Sequence, residues 1–219
     1  MTYSTGVNVA QGYLAGTERV EVDNGGAEKL VATTGEIANA PGPFGSGTSP
    51  FGRSGNVYTQ VSAAGISPAA TGADKVLAVF SLPANSFDVA GRALQIQTEG
   101  SFASNGDTKE VKIIINPATA VVGQTVGAGG TTIADTGAVT TNGGGWAIEA
   151  EVVKYGAQGS NTQLAVHQQA QVGGAVSALL APQALTMPEN ASILIALTGN
   201  ATTTASDIVF NFMQIFAQN

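Results

Sequence analysis

Three side chains in this sequence have the types and spacing that catalysis uses: Glu149, Glu151 and the single histidine, His167. Two glutamates two positions apart on a β-strand project from one face, with backbones about 6.5–7 Å apart. Paired carboxylates at a similar separation hydrolyse glycosides. The solvent-facing side of any half-buried strand shows the same pattern, however. We therefore interpret Glu149 and Glu151 as members of a solvated strand face.

His167 lies among glutamines in a segment without cysteine, and one imidazole alone makes neither a zinc site nor a catalytic triad. The sequence contains no G-x-S-x-G, H-E-x-x-H or G-x-x-x-x-G-K-[ST] motif, and its acidic residues are too scattered for a calcium loop. The sequence therefore predicts that the protein is not an enzyme. It predicts no catalytic, cofactor-binding or metal-binding residues.

Composition narrows the class of protein further. The 219 residues include 29 glycines, no cysteine and only 11% charged residues, a profile typical of a turn-rich β protein. The formal net charge is −7, and the acidic residues are scattered, which argues against nucleic acid and anionic membranes as partners. No apolar run approaches the roughly 20 residues of a membrane helix, and the first 22 residues do not resemble a secretory signal.

Alternating apolar and polar residues predict the elements that position these side chains. The tract Leu94–Ile115 contains two alternating segments around the turn residues Ser104–Asp107, a pattern that predicts a β-hairpin. Trp146, at the head of a later strand, is interpreted as a core or interface anchor, with sugar stacking as the alternative. The predicted strands are 28–33, 56–63, 75–82, 92–103, 108–116, 146–155, 161–172, 191–198 and 207–217, and the best short helix candidate is 175–185.

The predicted fold is all-β: a jelly-roll β-sandwich of about eight strands over residues 75–219, preceded by an extended N-terminal arm over residues 1–74. The arm contains short strand patterns and spaced aromatic residues, and its residues 36–74 carry only three charges, Glu36, Arg53 and Asp74. Phe44, Phe51 and Tyr58 are its candidate partner-binding residues, because aromatic side chains anchor protein interfaces. A flexible linker is the alternative interpretation of this segment.

One tract resembles a known group of proteins. Residues 75–115, KVLAVFSLPANSFDVAGRALQIQTEGSFASNGDTKEVKIII, and residues 143–156, GGGWAIEAEVVKYG, resemble jelly-roll structural proteins of tailed bacteriophages. Proteins of that group are similar in shape to tumour-necrosis-factor-like trimers. The resemblance spans about 80 residues, leaves out residues 1–74, and extends to residues 160–219 only in strand content.

The resemblance implies a structural role in a virion. It implies a capsid decoration or cement protein that binds neighbouring major capsid subunits, associates with itself as a homotrimer and is assembled in the host cytoplasm. The alternative is a head-fibre, tail or baseplate module that binds a receptor or glycan. Copy number separates the two, because a decoration protein covers the capsid whereas a receptor module is present in few copies.

Overall fold

A computed structural model describes residues 19–23, 29–33, 55–66, 72–140, 143–202 and 206–218. All regular elements in these ranges are β-strands, and no helix long and apolar enough to cross a membrane occurs among them. The strands are β1 Arg19–Asp23, β2 Lys29–Thr33, β3 Gly55–Ile66, β4 Lys75–Leu82, β5 Ala93–Phe102, β6 Lys109–Ile115, β7 Thr131–Asp135, β8 Gly144–Lys154, β9 Gln163–Val172, β10 Ala175–Leu179, β11 Gln183–Leu185, β12 Ile193–Ala201 and β13 Ile208–Gln218.

The chain divides into two units, Met1–Ala40 and Pro41–Asn219. In the first unit, β1 and β2 form a two-stranded antiparallel sheet in which Arg19 lies opposite Thr33. The sequence predicted the second of these strands and missed the first.

The second unit is a jelly roll, because its strand pairs are nested within one another. The first strand of this unit, β3, pairs with the last strand, β13; β4 pairs with β12, β5 with β8 and β6 with β7, all antiparallel. Two further pairings, β13 with β5 and β12 with β6, join these pairs into the sheets β3-β13-β5-β8 and β4-β12-β6-β7. This wrapped order of eight strands confirms the predicted fold class.

Three additional strands widen the first sheet. β9 pairs with β8, and both β10 and β11 pair with β9, so the larger sheet has seven strands. Gly173 and Gly174, both at positive φ, form the two-residue connection between β9 and β10 that a tight hairpin requires. The helix prediction for residues 175–185 is wrong, because pairing with β9 holds this segment extended.

The core lies between the two sheets, and the predicted alternation identifies the side chains that fill it. Ile96 and Ile148 from the larger sheet, and Ile113 and Ile195 from the smaller sheet, are all fully buried. Glutamines and glutamates alternate with the buried residues of the larger sheet, so one face packs and the other meets solvent.

The predicted hairpin between β5 and β6 is wrong, although both strands were located correctly. β5 has β13 on one side and β8 on the other, so no edge remains for β6, which joins the opposite sheet. The connecting turn is anchored where β13 begins, since Asn105 Nδ2 donates to Asp207 Oδ1 at 2.8 Å. The buried Lys109 ammonium also donates to the carbonyl oxygens of Asn105 and Asp107, each at 3.0 Å.

β3 is part of the jelly roll, although the sequence analysis assigned it to the N-terminal arm. It pairs with β13 from the partners Gly55 and Ala217 to the partners Ile66 and Phe210, with two irregularities in register. The strand itself was predicted, over residues 56–63, but the composition of residues 36–74 hid its membership of the jelly roll. Phe44 and Phe51 lie outside the described residues.

Candidate functional site

The solvent-facing side of the seven-stranded sheet, called the outer face below, carries rows of amides and carboxylates. Across β13, β5, β8 and β9, the partners Gln214, Gln97, Glu149 and Gln169 form one such row. Within it, Gln97 Nε2 donates a hydrogen bond to Glu149 Oε1 at 3.2 Å. The strands of this sheet contain a single lysine and no arginine, and that lysine, Lys154, is buried. The outer face is therefore a weakly acidic hydrogen-bonding surface.

His167 and Glu151 form a contact on this face, with 2.9 Å between His167 Nδ1 and Glu151 Oε2. His167 has a φ of 50° and lies at a break in register, where Glu149 pairs with Gln169 but Glu151 pairs with Val166. This β-bulge reverses the alternation of β9. It explains why the apolar face of this strand could not be identified from its sequence.

The three candidate catalytic side chains thus meet on an open strand surface. Glu149 and His167 are exposed and Glu151 is half-buried, and each carboxylate bonds to its own neighbour on an adjacent strand. Within the described ranges, no group of three or more histidine or acidic residues is arranged to hold a metal ion. The arrangement is that of a solvated strand face whose polar side chains bond to one another.

Trp146 is a core anchor, as the sequence analysis favoured over sugar stacking. It is buried, and its ring lies 6.4 Å from that of Phe102 between centroids. The indole also covers Gly100, its partner on β5, where an added Cβ would come within 2.3 Å of the ring. Gly100 is therefore required by the close approach of the indole to the backbone.

Tyr58, the candidate partner-binding residue within the described ranges, is half-buried on β3. It pairs with the buried Ile215, and its ring packs against Phe80 of the opposite sheet with 5.1 Å between centroids. Burial raises the pKa of its phenol. These contacts close the core at the sheet edge, so a role in partner binding would have to use the part of Tyr58 that remains accessible.

A polar cavity of about 240 Å³ opens between three loops of the jelly roll. Two carboxylates, Asp88 and Glu189, line it together with the amides of Asn85, Asn161 and Asn190. Asp88 is held by Arg92, with 2.6 Å between Asp88 Oδ1 and Arg92 Nη1. Such a lining presents both donors and acceptors to a small polar molecule.

The Lys154–Glu189 ion pair, called the buried pair below, supports one side of this cavity. Lys154 Nζ lies 2.5 Å from Glu189 Oε1 and also donates to Ser160 Oγ at 2.8 Å and to Thr162 Oγ1 at 3.0 Å. The Gly159 amide donates to Glu189 Oε2 at 2.7 Å. These bonds satisfy both charged groups, which a buried ion pair needs.

The sequence analysis missed the buried pair, but the chain carries a signal for half of it. Lys154 lies at an even position of β8, in step with the buried Ile148, Ala150 and Val152. An alternation that places a lysine on the core side predicts a buried cation with a partner. Nothing local identifies Glu189 as that partner, because 34 residues separate the two.

Comparison with known proteins finds limited similarity in sequence and structure. No protein-family model and no curated protein match this chain. Among solved structures, the chain is similar to a structure of the infectious bursal disease virus Gt strain, at 13% identity and a TM-score of 0.31, over 90% of this chain and 38% of the other. A structure of the Gx strain gives 13% identity and a TM-score of 0.28, over 90% and 46%. This chain thus spans less than half of either match, and similarity at these values carries no argument about function.

Proposed function

We propose that the protein is a virion structural protein of a tailed bacteriophage, of the capsid decoration or cement type. In this role a homotrimer binds neighbouring major capsid subunits and stabilises the head, after assembly in the host cytoplasm. The observation that carries the proposal is that the residues resembling phage structural proteins form β4, β5, β6 and β8, half of a closed jelly roll. No catalysis is part of this role.

The surface chemistry supports an assembly role. The outer face offers amides and carboxylates that bond to one another across strands, for example Gln97 to Glu149. A surface of this kind excludes partners of like charge, whereas attachment itself is assigned to the arm. The net charge of −7 also opposes binding to the packaged nucleic acid.

Attachment to the capsid is proposed to depend on the N-terminal arm. Deletion of residues 1–54 removes Phe44 and Phe51 but retains β3–β13, and with them all eight strands of the jelly roll. We expect the truncated protein to fold, because the deletion leaves all strands of the jelly roll in place, and to lose capsid binding in co-sedimentation, because the arm is proposed to make the capsid contacts.

Point substitutions sharpen this test. The double change Phe44→Ala, Phe51→Ala should weaken attachment more than stability, since aromatic anchors dominate interface energies. Tyr155→Ala is the matched control, because Tyr155 is an exposed aromatic residue within the jelly roll. Undiminished capsid binding after removal of residues 1–54 would show that the jelly roll itself holds the particle.

The polar cavity favours a second candidate, a receptor- or glycan-binding module of a head fibre, tail or baseplate. The amides and carboxylates around Asn85, Asp88 and Asn190 match the hydroxyl groups of a sugar in hydrogen-bonding type. Binding of the full chain to a glycan array, lost on Asn190→Ala, together with a low copy number per particle, would support this candidate over the first.

A further inference from the structure

The seven-stranded sheet ends in two strands that have no second neighbour among the described residues. One edge is β3, and the other is formed by β10 and β11 together, called the β10–β11 edge. Both edges carry large exposed apolar side chains: Val61 of β3 is 70% exposed, Val176 of β10 is 59% exposed and Leu179 is 71% exposed. Uncovered apolar edges of this kind promote association with another chain.

The exposed side chains of both edges project on the outer face. Val61 lies opposite Phe212, which in turn pairs with the exposed Glu99. At the other edge, Val176 and Leu179 lie opposite Gln171 and Gln169, which share the outer face with Glu149. The sheet therefore has a polar centre and an apolar margin at each end, on the same side.

Charge indicates which partner these margins fit. No charged residue occurs between Lys154 and Glu189, which includes the β10–β11 edge, or between Arg53 and Asp74, which includes β3. Two copies of a chain with net charge −7 repel each other, but the edge strands at these two margins carry no charge of their own that would oppose the approach of a second copy. The margins are alike in polarity and absence of charge, so the surface that best complements one is the other margin on a second copy.

Strand direction permits the same contact. The path β10-β9-β8-β5-β13-β3 is antiparallel at every step, so its first and sixth strands run in opposite directions. A second copy placed beside the first in the same orientation therefore presents β3 antiparallel to β10. This head-to-tail contact uses two different surfaces, and such contacts form closed rings when the rotation between copies allows it.

We propose that the β10–β11 edge of one copy docks against the β3 edge of a second copy, with Leu179 and Val176 meeting Val61. The contact itself follows from the two margins, and only the expectation of three copies rests on the proposed function. The proposed contact assigns the additional strands β9–β11 a role in assembly, because they create the apolar margin at the β10–β11 edge.

A charge-exchange experiment on the full chain tests the contact by sedimentation velocity and light scattering at micromolar concentration. The wild type should be oligomeric, with three copies. Leu179→Glu and Val61→Lys should each weaken association by at least about tenfold, because each places a charge in an apolar contact. The double variant Val61→Lys, Leu179→Glu should recover association, because every contact then joins an introduced ammonium to an introduced carboxylate.

Controls separate loss of the contact from loss of the fold. Val121→Lys changes a valine of similar exposure in the loop between β6 and β7, away from both edges, and should leave the oligomer intact. Leu179→Ser adds no charge and should weaken association less than Leu179→Glu. Unchanged melting temperatures establish that each variant is folded, and recovery in the double variant shows the same independently.

Three outcomes would overturn the inference. They are a monomeric wild type, an oligomer that neither single substitution weakens, or dissociation by Leu179→Glu without an effect of Val61→Lys. The last result would mean that β10 docks against another surface, for example a second β10. Capsid co-sedimentation of the wild type is read separately: an oligomer with these responses that fails to bind capsids contradicts the proposed function and leaves the contact standing.

Discussion

A buried ion pair and an exposed histidine–carboxylate hydrogen bond of this protein lie in opposite surroundings. In the buried pair, the side chain of Lys154 is 0% exposed and that of Glu189 is 5% exposed; on the outer face, His167 is 81% exposed and Glu151 is 19% exposed. Water screens the second pair and leaves it nearly without consequence for stability. In the first pair, each charge depends on its partner, because removal of one leaves the other unsolvated.

A third cluster lies between these extremes, on the four-stranded sheet. Lys112 Nζ lies 2.6 Å from Glu110 Oε2 and 3.3 Å from Asp74 Oδ2, and these side chains are about one fifth exposed. Asp135, the partner of Lys112 on β7, adds a third carboxylate to its surroundings. The three sites form a series in burial. Loss of the basic side chain should therefore have a smaller effect on the free energy of unfolding at each successive site.

The largest effect is expected for Lys154→Met, which removes the cation and leaves the carboxylate of Glu189 uncompensated in the interior. Loss of one partner of a buried pair typically costs about 3–5 kcal/mol in free energy of unfolding. Urea unfolding of both proteins measures the difference. Lys75→Met is the matched control, because the Lys75 ammonium donates to the exposed Thr125 hydroxyl at 2.8 Å. A cost below about 1 kcal/mol would mean that water reaches the buried pair.

Lys112→Met should have an intermediate effect of about 1 kcal/mol, discounted for the partial exposure of the cluster. Burial lowers the pKa of Lys112, but its hydrogen bond to Glu110 and the nearby carboxylates outweigh burial and leave the pKa above 10.5. Burial has the opposite effect on a carboxyl group and raises the pKa of Asp135 above 3.8. Both directions make the effect of this substitution depend on pH.

The pH dependence has a defined sign. The stabilisation from Lys112 is fully present below pH 10.5 and is lost as the pH rises through its raised folded-state value. The difference in melting temperature between wild type and Lys112→Met should therefore narrow above pH 10.5. For Asp135, the folded state favours the protonated form, so the variant should gain more stability than the wild type on acidification from neutral pH. A pH-independent difference would contradict both assignments.

The smallest effect is expected on the outer face. His167→Ala and the double change Glu149→Gln, Glu151→Gln should each alter the free energy of unfolding by less than about 0.5 kcal/mol, because these groups are solvated. Capsid binding should be retained in both variants, measured beside thermal unfolding. Loss of binding by a variant that remains folded would assign these side chains to the interface.

The sequence alone determined most of the long strands and, in β5, β6 and β8, which side chains face the core. The alternation in β5, β6 and β8 follows from the two-residue period of an extended chain, because every second side chain lies on the same face of the sheet. It also determined, through the even position of Lys154 in β8, that a cation lies on the core side. Local patterns suffice for these features because they depend on neighbours within one strand.

Only the tertiary structure decided which strands meet. The sequences of β5 and β6 predict a hairpin, yet β5 pairs with β8 and β13, whereas β6 pairs with β7 and β12 in the other sheet. The sequence of β10 predicts a short helix, yet pairing with β9 holds this segment extended. The same folding brings Glu189 to Lys154 and sets the two apolar margins at opposite edges of one sheet. Each of these outcomes is a choice among distant partners, and its free energy comes from long-range contacts that no local pattern contains.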